Sequence, residues 1–335
     1  MLVFITPSHM RFDVVDDDRP PPYSYRARAK IPADNIDDSR VTDDISSLKP
    51  GDVAVLGKKH SKEDAEYCIS NKIKYIVDVA DDKFKTFKHW YFTIPNASAV
   101  TTTCRTLKEL IQKETGTNSY VIPDPTERQR GKPRFEPKDV MKAFYYGSDS
   151  NYAKLVWSDI KDVLNKTTKT DVKIMTNVPA HNPKKWKIGK KIPGFYNLPK
   201  KDQNKLEDQV KEDFKKLIPW DFDEQGKLVE ESDFVLLPVV NDRHSSCKGN
   251  NRPIDALQQG RIVLTTPGIP SYSDLAKFLY VGDLHDMYQE MYKHPNQTIN
   301  KIIKAQEFID QNYSPSAIAK KWIEVYKTLT PSSIG

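Results

Sequence analysis

Three cysteines in 335 residues, Cys68, Cys104 and Cys247, are too few and too widely spaced for a zinc knuckle or a disulfide framework. A reducing cytoplasm is the expected setting. The chain also has no run of about 18 uninterrupted apolar residues, which excludes a membrane-crossing helix. Its first apolar stretch, Leu2–Ile5, meets Pro7 almost at once and reads as a strand, not a signal peptide. Any work at a membrane would therefore be done from its surface. No glycine fingerprint follows that strand, where the sequence reads Thr6-Pro7-Ser8-His9, and this removes a simple nicotinamide dehydrogenase. There is no internal repeat and no low-complexity tract. Nor is one sign of charge in large excess: 52 Lys+Arg against 46 Asp+Glu give +6, and with 38% hydrophobic residues the chain is neither disordered nor histone-like.

What is present is an alternation of short apolar runs with helix-like stretches, the pattern of parallel α/β architecture. The length favours two domains. Strands are expected at Leu2–Ile5, Asp52–Leu56, Lys74–Val79, Ser98–Thr102 and Tyr120–Ile122, with helices at Lys62–Asn71 and Cys104–Glu114, the latter closed by Gly116. From Pro123 to Pro137 four prolines and a basic, polar filling interrupt the pattern, which marks a boundary between domains. The alternation then restarts with strand Lys142–Tyr146, a turn at Gly147-Ser148, helix Asn151–Leu164 and strand Asp171–Thr176. It ends with strand Phe234–Pro238, helix Arg252–Gln259, strand Ile262–Thr265 and closing helices between Asp283 and Leu329. Within the second half, Pro183–Lys216 holds eleven lysines against five acids, so this one insertion accounts for the whole net charge.

The segment from Asp242 to Thr266 carries the most chemistry. It reads as a strand end, a polar glycine-containing loop, and a helix with Pro253 in its first turn, where the missing N–H costs nothing. The open N–H groups of that helix start, flanked by Lys248 and Arg252, suit a phosphate or diphosphate. Asp255, one turn in, is placed to accept hydrogen bonds from vicinal ribose hydroxyls.

The run from Lys248 to Val263, followed by Pro267-Gly268-Ile269-Pro270-Ser271-Tyr272, resembles the donor-binding region of GT-B glycosyltransferases of the group 1/4 kind, which use nucleotide sugars. Four other stretches agree in order along the chain. Tyr75–Asp82 is similar to the acidic-loop strand of the first domain, and Val100–Cys104 with Val121–Pro125 to its last unit. Phe144–Ser148 with Asn151 is similar to the opening turn of the second domain, and Ile218-Pro219-Trp220 with Asp233–Pro238 to the approach to the donor loop. The resemblance implies two Rossmann-like β/α/β domains facing across a cleft: an acceptor-side domain over 1–130, and a donor-binding domain over 138–313 carrying the basic insertion 183–216. A terminal helix within 314–335 would cross back to the first domain. It also implies transfer of a sugar from a nucleotide-diphosphate donor to a hydroxyl acceptor, without a cofactor or metal. On this reading Lys248 and Arg252 are catalytic. Gly147, Ser148, Asn151, Lys248, Gly249, Asn250, Asn251, Arg252, Asp255, Ser271 and Tyr272 hold the donor, and Ser24, Arg26, His60 and Asp81 lie on the acceptor side.

One departure stands out. Retaining members commonly carry two acids eight positions apart here; with Asp255 as the second, the first position holds Cys247, so the retaining signature is incomplete and the stereochemical outcome stays open. His9, at the carboxyl end of the first strand where open α/β sheets bind ligands, is a candidate general base, although a lone histidine also serves structural purposes. Asp78, Asp81 and Asp82 could hold a divalent cation, but Lys248 and Arg252 already supply positive charge for a leaving diphosphate. The lysine-rich insertion interleaves Trp186, Phe195 and Tyr196 with basic residues, as surfaces that grip polyanions or anionic membranes do, and equally forms ordinary solvated ion pairs. Two rival functions remain: a nucleotide-sugar epimerase of the same fold, and a noncatalytic nucleic-acid-binding protein or DNA-modifying glycosyltransferase that uses the insertion.

Overall fold

The computed structural model describes residues 1–7, 22–147, 170–176, 199–201, 217–239 and 242–330. Helix Asn151–Leu164, His9 and nearly all of the insertion 183–216 lie outside the described residues.

Among the described residues two six-stranded sheets organise the chain, and every pairing in both is parallel. The first is built from β1 (Leu2–Ile5), β2 (Ser39–Thr42), β3 (Val53–Leu56), β4 (Lys74–Val79), β5 (Ala99–Thr102) and β6 (Tyr120–Val121), in the order β2-β1-β3-β4-β5-β6. The second is built from β7 (Met141–Gly147), β8 (Thr170–Thr176), β9 (Ile218–Pro219), β10 (Phe234–Leu236), β11 (Ile262–Thr265) and β12 (Tyr280–Val281), in the order β12-β11-β10-β7-β8-β9. Each is an α/β layer of the Rossmann type. A parallel sheet is covered on both faces, which is why its central strands read as unbroken apolar runs; β1, β3, β5 and β11 are buried at every position.

Strand period divides the first core cleanly. Val3, Ile5, Ala54, Leu56, Val77 and Val79 face one side, where helices Lys62–Ser70 and Arg105–Thr115 and the short Trp90–Thr93 turn supply Ala65, Cys68, Leu107, Ile111 and Trp90. Leu2, Phe4, Val53, Val55 and Ile76 face the other, against Tyr25 and Ala29 and the last helix, Pro315–Leu329. That helix comes after the second sheet in sequence, yet it covers the first: Trp322 is fully buried with its ring 5.3 Å from that of Phe4, edge to face. The expected return of the carboxyl-terminal helix is therefore observed.

Several elements were not expected, and three of them are instructive. Strand β2 escaped notice because it is an edge strand of sequence Ser-Arg-Val-Thr with only Thr42 buried, and has no apolar run to reveal it. Helix Phe222–Glu231 is begun by Asp221, whose side chain accepts from the Glu224 backbone N–H; the Asp-x-x-Glu spacing was its available signal. The stretch read as a loop after Asp242 contains a short helix, Arg243–Ser246, capped by Asp242 accepting from the Ser245 N–H.

Between the sheets, Pro123–Pro137 has neither helix nor strand, as its prolines require. It is nonetheless pinned. Arg261 donates to the carbonyl oxygens of Lys132, Ser232, Gln259, Gly260 and Glu230, and Gln306 Nε2 donates to Gly131 O at 2.8 Å. Gly131 and Gly260 allow the approach: a β-carbon at 131 would lie 2.4 Å from Gln259 O, and Gly260 additionally adopts φ +79°.

Candidate functional site

Ligands in open parallel sheets gather beyond the carboxyl ends of the strands. Lys58, Asp81 and Gly147 stand at the ends of β3, β4 and β7, and all three line cavities where the two halves of the chain meet. The larger cavity, of about 470 Å³, has Tyr23, Ser24, Arg28, Lys58, Ala80, Asp81 and Asp124 on the first-domain side and Lys248, Gly249, Asn251 and Arg252 on the other. The smaller, of about 230 Å³, is lined by Tyr23, Arg26, Glu127, Tyr146, Gly147, Trp220, Phe222, Gln225, Asn251, Arg252 and Asp255. Tyr23, Asn251 and Arg252 line both, so the two cavities adjoin.

The second domain gives the cleft its positive charge. Arg252, in the first turn of helix Asn251–Gln258, donates to Tyr146 O at 3.3 Å and to Tyr272 Oη at 3.5 Å, both neutral acceptors. Lys248 makes no ion pair among the described residues; burial, and next the nearby Arg252, lower its pKa. Two cations lining one cavity without a salt bridge among the described residues, beside the open N–H groups of a helix start, are chemically suited to an anion, with Asp81 the one carboxylate charge acting on Lys248. Gly147 must be glycine for this arrangement, since a β-carbon there would lie 2.8 Å from Tyr145 Oη and 2.9 Å from Arg252 Nη1.

The first domain contributes a buried ionic lattice. Arg28 donates to both oxygens of Asp78, at 3.0 and 2.6 Å, to Ile122 O at 2.7 Å and to Asp124 Oδ1 at 3.4 Å, and its guanidinium lies 5.4 Å from the Trp322 ring. It comes from Arg26–Lys30, a π-helical stretch between Tyr23–Tyr25 and Ile31–Asp34, a local irregularity often found at working sites. Burial pushes the Asp124 carboxyl up to about 6, against the opposing pull of Arg28. Tyr23 Oη is enclosed without a hydrogen-bond partner in the described residues, and burial followed by Asp124, Glu127 and Asp255 drives its pKa well upward, so it stays a donor.

The smaller cavity is aromatic. Arg26 is bound by Glu127 through two bonds, at 2.6 and 2.9 Å, and its guanidinium lies 4.6 Å from the Phe222 ring; Arg128 covers the same ring at 3.7 Å. Trp220 is held by its Nε1–H donating to Gln225 Oε1 at 2.9 Å. Asp255 reaches this cavity, but its Oδ1 already accepts from Thr126 Oγ1 and the Glu127 N–H, both at 3.2 Å. Burial first, and Glu127 next, hold its carboxyl well above the usual range.

The structure thus brings Ser24, Arg26, Asp81, Gly147, Lys248, Gly249, Asn251, Arg252 and Asp255 to one cleft. Other candidates sit differently. His60 lines neither cavity: it is buried, Nδ1 bonds Gly57 O at 2.9 Å and Nε2 Thr93 Oγ1 at 3.0 Å, and burial lowers its pKa to about 4. Tyr272 backs Arg252, Asn250 donates to Tyr313 Oη at 3.1 Å, and the Ser271 hydroxyl is enclosed without a partner among the described residues. His9, Ser148 and Asn151 lie outside the described residues. Asp78, Asp81 and Asp82 each pair with a cation, respectively Arg28, Lys58 and Arg243. Sequence reasoning gave no site role to Lys58, Asp124, Trp220 or Phe222, although the stretches holding Asp124 and Trp220 were among those that resembled the family; the Pro-Asp-Pro at 123–125, a carboxylate between two rigid residues where the linker begins, was the clearest signal left unused.

No model of a protein family matches the chain, and no curated protein matches it in sequence. Solved structures do. HepE from Anabaena, in complex with UDP and glucose, superposes with a TM-score of 0.63 at 10% identity, over 98% of this chain and 99% of that one. A glycosyltransferase from Rickettsia africae gives 0.57 at 10% identity, over 99% of both chains. Sucrose-phosphate synthase from Thermosynechococcus elongatus gives 0.57 at 10% identity, over 84% of this chain and 74% of that one. The fold is GT-B: two Rossmann-like domains across a cleft, with the last helix returned to the first.

Proposed function

We propose that this protein is a glycosyltransferase that moves a sugar from a nucleotide-diphosphate donor to a hydroxyl acceptor without a metal ion. The observation that carries this reading is the pair Lys248 and Arg252, which line one cavity of a GT-B cleft and form no salt bridge with a carboxylate among the described residues. A diphosphate supplies the charge this pair lacks. As the bond to the sugar breaks, negative charge grows on the diphosphate, and cations already fixed there stabilise it without reorganising, the dominant kind of term at such sites. The aromatic cavity beside Arg252 suits a nucleoside: Trp220 and Phe222 offer flat apolar surface for the base, and Asp255 with Gln225 offers polar groups for the ribose and base edges. UDP and UDP-glucose are bound by the structural neighbour HepE, which supports a nucleotide-sugar donor here.

The larger cavity, on the first-domain side, receives the sugar and the acceptor. Anionic acceptors, or an anionic membrane surface, are drawn through the basic segment 183–216, and the enzyme works in the cytoplasm or at the membrane face; among the described residues no helix is long and apolar enough to cross a membrane. Calorimetric titration with UDP, GDP and ADP, followed by turnover of the matching nucleotide sugars, tests the proposal. A chain that binds none of them is not a glycosyltransferase of this kind. Turnover of donor alone into an isomeric nucleotide sugar would instead make it an epimerase.

A further inference from the structure

We propose that Asp124 is the general base that takes the proton from the acceptor hydroxyl, and that transfer consequently inverts the anomeric centre. This rests on the donor reading above.

Two carboxylates line the larger cavity among the described residues, Asp81 and Asp124. Asp81 is engaged by Lys58. Asp124 is held on one side only: Oδ1 receives the Arg28 guanidinium at 3.4 Å, while Oδ2 accepts no hydrogen bond from the described residues. That free oxygen lies against Gly249, where the missing β-carbon leaves it room. The carboxylate is also rigidly placed, because Arg28 grips the carbonyl oxygens of Ile122 and Pro123 as well, and prolines stand on both sides. A buried carboxylate at the cavity wall, fixed at one oxygen and without a hydrogen bond among the described residues at the other, has an oxygen left to take a proton.

Its surroundings tune it for neutral pH. Arg28 from the first helical run, Asp78 and Asp81 from the end of β4, Glu127 from the linker, and Tyr23, Lys58 and Lys248 around the cavity face it. Burial outweighs Arg28 and raises the carboxyl to about 6, which makes it a stronger base than an exposed aspartate while leaving it ionised at pH 7.

In the step itself the acceptor O–H proton passes to Asp124 Oδ2. The electron pair so released on the acceptor oxygen forms the bond to the anomeric carbon. The bond from that carbon to the diphosphate oxygen breaks, and its electron pair leaves on the diphosphate beside Lys248 and Arg252. A single displacement of this kind inverts configuration, so an α-linked donor yields a β product.

Transfer to water tests this without knowledge of the natural acceptor. Wild type and Asp124→Asn are given UDP-, GDP- and ADP-glucose, the first-formed anomer of glucose is read by proton NMR before mutarotation, and binding of the free diphosphates is titrated. The expected result is β-glucose first in the wild type. The variant should be slower by about 100-fold or more, the lower end for general base catalysis, with affinity for the diphosphate within threefold. The wild-type rate should fall below about pH 6, and the variant should lack that limb. Because Asn at 124 also disturbs Arg28, Asp124→Ala is assayed with added formate, expected to restore at least tenfold. α-Glucose first, a variant within threefold of wild type with the same acid limb, no formate rescue, or nucleotide binding without any hydrolysis would each overturn the role of Asp124. A wild type that binds none of the three diphosphates overturns the donor reading itself.

Discussion

Asp124 and Gly249, 125 positions apart, meet across the cleft so closely that a β-carbon on residue 249 would stand 2.5 Å from Asp124 Oδ2. No real contact is that short, so Gly249→Ala must displace the carboxylate. Sugar turnover should fall at least tenfold, while Gly249→Ala placed on an Asp124→Gly background should cost nothing further. A double-mutant cycle in rate measures the coupling.

Lys248→Ala and Arg252→Ala should each weaken nucleotide-diphosphate binding by about 1.5–3 kcal/mol, the scale of hydrogen bonds to charged groups. Calorimetry reads it directly. Unchanged affinity in both variants would remove the assignment of the diphosphate to this loop.

Asp255 gives a pH signature. Its carboxyl, raised by burial and then by Glu127, binds its proton more tightly in the folded chain than at the unfolded value of 3.8. The stability this contributes is complete below about pH 4 and is lost as pH rises through the raised folded value. Asparagine stays neutral throughout. The melting temperature of Asp255→Asn minus that of wild type should therefore become more positive between pH 5 and pH 8; a constant difference would mean that Asp255 titrates normally.

Trp322→Ala removes the largest side chain of the returning helix from a fully buried position against Phe4. A loss of about 3–5 kcal/mol is expected, as for other buried aromatics. Chemical denaturation followed by circular dichroism measures it.

Reversing Lys184, Lys185, Lys187, Lys190 and Lys191 to Glu should leave diphosphate affinity nearly intact and abolish binding to heparin or anionic vesicles at low salt. The difference should shrink as salt rises, where the Debye length falls below about 10 Å. Equal binding by both proteins at low salt would make the segment a solvated surface.

The architecture was legible because parallel strands must be apolar on both faces, so β1, β4 and β11 announce themselves with the bounds they take up. Edges carry no such mark, and Ser39–Thr42 was invisible for that reason. The same contrast divides the site. Lys248, Gly249 and Arg252 could be read because one loop and one helix start hold them together. Lys58 and Trp220 are unremarkable in their own stretches, and even Asp124, marked by its flanking prolines, shows its role only once the fold brings it to Arg28 and the cavity. Asp255 was seen in the right place but given only one partner; its bonds to Thr126 and Glu127 depend on how the linker folds.

Those bonds bear on how the two sheets are joined. The chain passes between the two sheets twice, once near Thr126 and again near Tyr313, and the passages are tied together by the Thr126 N–H donating to Tyr313 O at 2.8 Å. Downstream of Thr126 the linker is fastened to the second domain through Arg261 and Gln306. The two crossings thus form one laced junction and not two independent strands, and Asp255 is bonded into it through Thr126 and the Glu127 N–H.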